Sequence, residues 1–148
     1  MRICLFVFIF FLLGCGNEER NNTYYILTPD SITQTVFKID KIYNLNNDEK
    51  SVVDSLVLVG VRELFEIPEG YETKSDAVLN LNKGYFQYLS YINTHGEKIV
   101  YLNYYCELKS SDAIDKLNKE IISINDGGLC YWDGYINLSK TTVELAFR

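Results

Sequence analysis

Residues 85–106 read YFQYLSYINTHGEKIVYLNYYC, and this stretch decides the fold. Two runs rich in aromatic and β-branched residues, Tyr85–Asn93 and Lys98–Cys106, flank the short polar segment Thr94-His95-Gly96. Strands favour these residue types, and a short glycine-containing segment between two such runs is typical of a β-hairpin. We therefore predict a long antiparallel hairpin here.

Further strand-like runs lie on both sides of the hairpin, each bounded by turn residues. Asp126-Gly127-Gly128 is the strongest turn signal, because aspartate and glycine accept the positive φ angles of tight hairpins. The additional predicted strands are Val78–Leu81, Glu120–Asn125, Leu129–Asn137 and Thr141–Phe147, and the remaining turns are Asn82-Lys83-Gly84 and Leu138-Ser139-Lys140. Together these elements predict an antiparallel meander.

The segment between the hairpin and Asp126 has two interpretations. Ser110–Lys119 favours a short helix with Asp112 as a candidate N-cap. In the competing interpretation this helix continues to a glycine C-cap, with apolar positions at Ile114, Leu117, Ile121 and Ile124. We prefer a strand after the short helix, because residues 121–124 are mostly β-branched and precede Asp-Gly.

The N-terminal half contains one ambiguous element and one long candidate helix. Ser31-Ile32-Thr33-Gln34 has the chemistry of a capping box, whereas residues 37–45 alternate as in a strand, so we predict a helix that turns into a strand. Glu49–Phe65 is apolar along one side and is followed by Pro68, which predicts a long helix. Its many valines and Gly60 leave a buried strand as the competing interpretation.

One long helix followed by a meander predicts a single α+β domain in which a curved antiparallel sheet packs on the helix. In outline, this order of elements resembles cystatin-like and nuclear-transport-factor-like folds. The C-terminal half also resembles small Gram-negative lipoproteins of unknown function, through residues 84–88, 96–100, 126–131 and 136–138. That resemblance implies no particular activity.

The N-terminal residues have the pattern expected of an export signal. Arg2 is followed by the apolar run Ile3–Leu13 and then by Gly14-Cys15. The run is shorter than the roughly 20 residues of a membrane span. Gly14-Cys15 resembles the lipobox of bacterial lipoproteins, which implies removal of residues 1–14 and acylation of Cys15. We expect a signal peptide over 1–14, an acylated cysteine and polar tether over 15–23, and one globular domain over 24–148.

The polar tether over residues 15–23 contains residues that indicate where in the cell envelope the protein lies. Gly16 follows the cysteine, which by the usual lipoprotein sorting pattern favours the outer membrane. Glu18 and Glu19 resemble the surface-export signals of some Gram-negative lipoproteins, although any solvated linker contains charges. We expect a lipid-anchored envelope protein and leave open whether it faces the periplasm or the exterior.

The net charge of the mature chain limits the classes of partner that we expect. Removal of residues 1–14 takes away one basic residue, Arg2, of 14 and leaves all 20 acidic residues, so the mature chain has a formal charge of −7. Nucleic acid is excluded as an expected partner, because binding its backbone needs an excess of basic residues. Anionic headgroups repel such a domain, so the membrane is expected to contact the protein through the lipid anchor only.

The cysteines suggest an oxidising compartment. Cys4 leaves with the signal peptide and Cys15 carries lipid, so Cys106 and Cys130 remain as an even pair. We favour a disulfide between them over two free thiols. Two cysteines and one histidine are too few for a zinc site, so no metal is expected.

Nothing in the chain points to an enzyme or a cofactor. His95 is the only histidine and lies in the predicted hairpin turn, where a solvated role is expected. Asp112 with Asp115, or Asp126 with Asp133, could supply a pair of carboxylates for hydrolysis, but helix and turn chemistry explain Asp112 and Asp126 without it. We predict no catalytic residues.

Tyrosine is the unusual component, and tyrosines make good contact residues because they bury a large area with little rotamer entropy. Alternation places Tyr85, Leu89 and Tyr91 on one face, and Phe86, Tyr88 and Ile92 on the other, so we expect at most one set to be wholly buried. An alternative is that these tyrosines simply occupy half-buried strand positions. The candidate binding residues are Tyr85, Tyr88, Tyr91, Tyr101, Tyr131, Trp132 and Asp133.

These observations leave three hypotheses for the function, each from a different class of protein. The preferred one is a non-enzymatic lipid-anchored module that binds a protein or glycan through its sheet. The second is an envelope inhibitor or immunity protein that neutralises a basic toxin or wall hydrolase, and the third is a carboxylate-dependent hydrolase. An aromatic groove favours the first, a face of clustered carboxylates and tyrosines favours the second, and a closed cleft with two carboxylates favours the third.

Overall fold

The computed structural model of the chain describes residues 23–27, 30–68, 81, 83–108, 111–122, 124 and 128–147. Within these ranges the strands are β1 Thr23–Ile26, β2 Ile39–Ile42, β3 Tyr85–Asn93, β4 Lys98–Tyr105, β5 Tyr131–Asn137 and β6 Thr142–Phe147. The helices are α1 Ser31–Val36, α2 Asn47–Leu64 and α3 Ser111–Lys116, with a 3-10 turn at Gly128–Cys130. The predicted α+β class is confirmed.

The predicted hairpin forms the centre of the sheet. β3 and β4 pair antiparallel from Tyr85 opposite Tyr105 to Ile92 opposite Lys98. The turn between them places Gly96 at φ +77°, a conformation that glycine adopts without steric cost. The side-chain oxygen of Asn93 accepts the backbone N–H groups of His95 and Glu97, each at 2.9 Å. The hairpin prediction is therefore confirmed.

The sheet is mixed rather than a purely antiparallel meander. Its order is β1-β3-β4-β5-β6, and β2 also pairs with β3. β1 runs parallel to Tyr85–Tyr88, whereas β2 runs antiparallel to Tyr91–Asn93. The two short strands therefore lie end to end along the edge of β3 that β4 leaves open. The sequence analysis missed β1, because a four-residue strand beside a polar segment carries little periodic signal.

The long helix is confirmed, and the competing interpretation of that run as a strand is wrong. α2 begins with a capping box, in which the Asn46 side chain accepts the Glu49 N–H at 2.9 Å and the Glu49 carboxylate accepts the Asn46 N–H at 3.0 Å. Val53, Val57 and Val61 are its buried apolar positions. A β-carbon at Gly60 would lie 2.7 Å from the Leu145 side chain, so glycine permits the close approach of the helix to β6.

The predicted helix-to-strand element is also confirmed, as α1 followed by β2. The N-cap of α1 is Asp30 rather than Ser31, since the Asp30 carboxylate accepts the Thr33 N–H at 2.7 Å. Lys38, between the two elements, has a φ of +52°. This left-handed residue allows the chain to turn sharply from the helix into the strand.

The segment after α3 contradicts both sequence interpretations. α3 ends at Lys116, and the described residues 120–122 and 124 are neither strand nor helix. Residues 125–127, at the tip of the expected Asp-Gly hairpin, lie outside the described ranges. Ile121, Ile122 and Ile124 pack on the sheet. Their side chains are partly buried although the segment is irregular. Side chains of the sheet donate hydrogen bonds to its carbonyl groups, which therefore do not need a strand or helix partner.

Of the remaining predicted strands, two are confirmed and one lies mostly outside the described ranges. β5 and β6 confirm the two C-terminal strands. The strand predicted at 129–137 begins only at Tyr131, because Leu129 and Cys130 belong to the 3-10 turn. Residues 78–80 of the strand predicted at 78–81 lie outside the described ranges, and Leu81 has helical backbone. Among the described residues, no helix is both long and apolar enough to cross a membrane.

Both faces of the sheet contain buried core residues. The first face packs against α2 and contains Phe86, Tyr88, Val100, Leu102, Tyr104, Trp132 and Ile136. The second face contains Leu89, Tyr91, Ile99, Tyr101, Tyr105 and Tyr131, and is covered by Leu27, Phe37, Leu117 and Ile121. Neither set of alternating side chains on β3 is wholly buried, as expected, since Tyr85 in one set and Ile92 in the other are only partly buried. Both faces nevertheless contain core residues, because irregular segments cover much of the face that α2 does not.

Cys106 and Cys130 are paired, as predicted. Their Cα atoms lie 5.1 Å apart, within the range of disulfides. The Cys106 N–H also donates to the Cys130 carbonyl at 3.0 Å. The pair joins the end of β4 to the start of β5 and bounds the segment that covers the second face.

Candidate functional site

An open groove of about 360 Å³ lies at one end of the second face, and we call it the turn-end groove. It is bounded by the strands, by the β3–β4 and β5–β6 turns, and by the end of α1. The strand residues are Tyr91, Ile99, Tyr135, Thr142 and Glu144, the turn residues are Asn93, Thr94, His95, Asn137 and Lys140, and the residues after α1 are Phe37 and Lys38.

Strand pairing brings the groove residues together. Tyr91 lies opposite Ile99, and Tyr135 lies opposite Glu144. Tyr101, directly opposite Tyr135, belongs to the same face. Paired residues project to the same side of a sheet, so four strands contribute to one surface.

Aromatic rings form the apolar part of the groove. The ring centroid of Phe37 lies 4.8 Å from that of Tyr101, 6.1 Å from that of Tyr91 and 6.2 Å from that of Tyr135. Tyr101 and Tyr135 are 5.2 Å apart. Tyr91 and Tyr101 are buried, whereas 41% of Tyr135 is exposed. Tyr135 therefore presents an aromatic surface to solvent, and its neighbours hold the ring in place.

Glu97 connects the two turns beside the groove. Its carboxylate accepts hydrogen bonds from Asn93 Nδ2 at 3.0 Å and Asn137 Nδ2 at 3.3 Å, and it pairs with Lys140 Nζ at 2.6 Å. The hydrogen bond from Lys140, and next that from Asn93, lower the pKa of Glu97. The backbone N–H of Lys98 also donates to Ser139 Oγ at 3.0 Å. These bonds fix the positions of both turns.

The charges that line the groove nearly balance. Lys140 is paired with Glu97, which leaves Lys38 and Glu144 as one cation and one carboxylate. His95 lies exposed in the β3–β4 turn, as its sequence position predicts. The groove is thus close to neutral although the chain as a whole has a net charge of −6.

A buried polar network continues the second face away from the groove. Tyr101 Oη lies 2.7 Å from Asn103 Oδ1 and 3.1 Å from Asp133 Oδ2. Asn103 Nδ2 donates to Gln87 Oε1 at 3.0 Å. Burial, and next the nearby Asp133, raise the pKa of Tyr101, so its hydroxyl stays protonated and can donate.

The same network fastens the segment after α3 to the sheet. Gln87 Nε2 donates to the Leu117 and Glu120 carbonyls at 2.6 and 2.7 Å. Tyr105 Oη donates to the Ile122 carbonyl at 2.7 Å. Three carbonyl groups in an irregular segment thus obtain partners from sheet side chains, as buried backbone groups require.

The predicted binding residues do not form one exposed patch. Tyr88 and Trp132 are buried on the first face, and Tyr101, Tyr131 and Asp133 are buried on the second. Tyr91 lines the groove but is also buried, and half-buried Tyr85 packs against Tyr25 at the other end of the sheet. The expected contact surface is replaced by core, because both faces are covered.

The groove contains residues that the sequence analysis missed. Tyr135, Phe37 and Glu144 were not among the candidates, although Tyr135 alternates in phase with Tyr131 and Asp133 along β5. The alternation therefore contained a signal for Tyr135. No local pattern could have indicated that Phe37 folds over the sheet, since that contact joins distant parts of the chain.

Asp112 and Asp115, one of the two carboxylate pairs considered for hydrolysis, lie exposed on α3. Asp112 lies in the first turn of α3 rather than at its N-cap. Asp133 is buried in the sheet, and Asp126 lies outside the described residues. In the part of the chain that the structure describes, no group of three or more His, Cys, Asp or Glu side chains could hold a metal ion.

No protein-family model, curated protein or solved structure matches the chain. What the turn-end groove can do follows from its side chains. Tyr135 offers a flat apolar surface, and Thr94, Thr142, Lys38 and Glu144 offer donors and acceptors around it. A concave site with a few polar groups near an aromatic surface is suited to binding a small molecule or a segment of a larger one.

Proposed function

We propose that the chain is a lipid-anchored, non-enzymatic lipoprotein of the cell envelope whose domain binds a partner in the turn-end groove. The groove is the observation that carries this proposal. Its volume of about 360 Å³ falls in the range of ligand sites, and the bonds to Glu97 fix its turns before any ligand arrives. Binding therefore requires little ordering of the protein.

The anchor rests on the sequence at residues 1–15, which lie outside the described ranges. Arg2, the apolar run and Gly14-Cys15 support removal of the signal peptide and acylation of Cys15. Two or more acyl chains would hold the protein on a membrane, and Gly16 favours the outer membrane. Which side of that membrane the domain faces stays open.

The position of the groove is consistent with such an anchor. The chain enters the described domain at Thr23, beside Tyr85 at the start of β3, whereas the groove lies at Asn93, at the other end of that strand. Nine residues of strand span about 26 Å. The groove therefore lies at the opposite end of β3 from the strand to which the anchor would be joined.

The chemistry of the groove favours binding over the other two functions. Glu144 is the one carboxylate among the residues that line it, and the site is open rather than enclosed. A hydrolase with two carboxylates and an inhibitor with clustered carboxylates fit this lining less well. The likeness in outline to cystatin-like or nuclear-transport-factor-like folds stays a prediction.

The anchor is tested by acylation in a Gram-negative host. We expect the wild-type chain to incorporate radiolabelled palmitate and to fractionate with membranes, and Cys15→Ser to lose the label because the acylated sulfur is gone. Cys4→Ser, a matched substitution within the apolar run, should stay labelled. Label retained on Cys15→Ser, or no label on the wild type, would contradict the proposal.

A further inference from the structure

We infer that the turn-end groove binds a neutral glycan, with a sugar ring stacked on the exposed face of Tyr135. This inference rests on the proposed function and names the ligand class of that groove. A sugar ring has an apolar face of C–H groups and a polar rim of hydroxyl groups. A complementary site needs an exposed aromatic face, donors and acceptors beside it, and little net charge.

The aromatic face is present and is held in position. Tyr135 is 41% exposed, while Tyr101 at 5.2 Å and Phe37 at 6.2 Å pack against its ring. A ring that is already held loses little rotamer freedom when a ligand stacks on it. Most other aromatic residues of this sheet are buried, and exposed Phe147 lies on the opposite face against Phe65, so among the described side chains Tyr135 is the exposed aromatic ring of the second face.

Hydrogen-bonding groups surround this ring. Glu144 lies directly across from Tyr135 in the strand pairing and supplies acceptors. Lys38 supplies donors, and the Thr94 and Thr142 hydroxyls can do both. Sugar hydroxyls also donate and accept, so they match a rim that contains both kinds of group.

The charge balance argues for a neutral ligand. A cationic ligand would be repelled by Lys38, and an anionic one would be repelled by Glu144. The Glu97–Lys140 pair at 2.6 Å leaves neither charge uncompensated. An extended peptide would pair with the open edge of β6, whereas the groove lies on the face of the sheet.

Calorimetric titration of the full chain tests the inference. The protein would be purified in a zwitterionic detergent without a sugar headgroup and titrated with cellotetraose, maltotetraose and tetra-N-acetylchitotetraose. We expect at least one of these probes to bind, with a Kd that changes less than about twofold between about 0.05 M and about 0.5 M salt, because a neutral ligand is not screened.

Substitutions locate the site. Tyr135→Leu keeps an apolar side chain but removes the flat ring, and should weaken binding at least about tenfold, whereas Tyr135→Phe should stay within about threefold. Thr142→Phe places a bulky side chain in the groove while Tyr135 itself is unchanged, and should also weaken binding about tenfold. Tyr25→Leu, at the far end of the same face, is the matched control and should bind as the wild type does.

The outcomes separate this inference from the proposed function. Lack of binding by all three tetrasaccharides, or binding that Tyr135→Leu and Thr142→Phe leave unchanged, overturns the inference. Titration with spermidine, tripolyphosphate and a tetra-alanine peptide runs in parallel. Tyr135-dependent binding of one of these in place of the sugars overturns the neutral glycan but retains the groove, while the absence of palmitate label from the wild type overturns the anchored function itself.

Discussion

Gln87 shows how one side chain joins three parts of the molecule. It lies on β3 with 1% of its surface exposed. Its amide nitrogen donates to the Leu117 and Glu120 carbonyls, and its oxygen accepts from Asn103 on β4. The bonds to Leu117 and Asn103 are buried and the bond to Glu120 is partly buried, so water offers these groups little alternative to their hydrogen bonds with Gln87.

Replacement of Gln87 should therefore be costly. We expect Gln87→Leu to lower the free energy of unfolding by about 1–3 kcal/mol, because two carbonyl groups lose their donor in a buried site. Urea denaturation measures the change. The exposed substitution Asn118→Leu in the same segment should change stability by less than about 0.5 kcal/mol. Equal stability of Gln87→Leu and the wild type would contradict the role given to the network.

For single residues, the sequence predicts which face of the sheet a side chain lies on better than it predicts how exposed that side chain is. Alternation correctly placed Tyr85, Leu89 and Tyr91 on one side of β3 and Phe86 and Tyr88 on the other. It could not predict that both sides contain core residues, because the cover on the second face comes from irregular segments distant in sequence. For the same reason the sequence did not indicate Phe37 as a groove residue, although its contacts with Tyr101 and Tyr135 define the groove.

Among the elements, α2 is attached to the sheet through its first turn. Glu49 completes the capping box and also pairs with Lys98 of β4 at 2.8 Å. The Tyr43 hydroxyl donates to the same carboxylate, and Lys98 Nζ lies 4.6 Å from the centre of the Tyr43 ring. The hydrogen bond from Lys98, and next that from Tyr43, lower the pKa of Glu49 to about 2.

This attachment makes stability depend on pH. The folded-state pKa of Glu49 lies below its ordinary value, so its stabilising effect is present above about pH 4.5 and is lost as the pH falls towards about 2. Thermal unfolding between these values should show a decrease in Tm. Glu49→Gln keeps capping-box geometry but cannot ionise, so it should have a lower Tm at neutral pH and a smaller decrease on acidification. An identical pH profile for the two proteins would count against this account.

Long elements were predictable and short non-local ones were not. The β3–β4 hairpin and α2 each carry a periodic pattern over many residues. β1 has four residues and pairs with a strand about 60 positions away, so its own sequence gives little information about its partner. The strand expected at 120–125 failed because β-branched residues also suit an irregular segment that packs on a sheet.

For the whole molecule, the Cys106–Cys130 pair limits the freedom of the cover over the second face. It closes a loop with a sequence separation of 24 residues. Leu117 and Ile122 in this loop pack on Tyr105 and Tyr131. The link therefore restricts the unfolded chain and keeps the cover near its site.

Removal of the link should lower the free energy of unfolding by about 3 kcal/mol in the chain-entropy model. Denaturation of Cys106→Ala/Cys130→Ala beside the oxidised wild type measures this difference. Addition of a reductant should bring the wild type towards the variant and leave the variant unchanged. A reductant that destabilises the double variant equally would show that the effect arises elsewhere.

The parallel pairing of β1 with β3 has a mechanical consequence. With the N-terminus fixed to a membrane and a ligand held in the groove, a pull on the ligand would act along β3. The bonds between Thr23–Ile26 and Tyr85–Tyr88 would then be loaded in shear, all at once, rather than opened one by one as in a zipper. The hydrogen bonds of β1 with β3 would therefore be the ones that resist the pulling force.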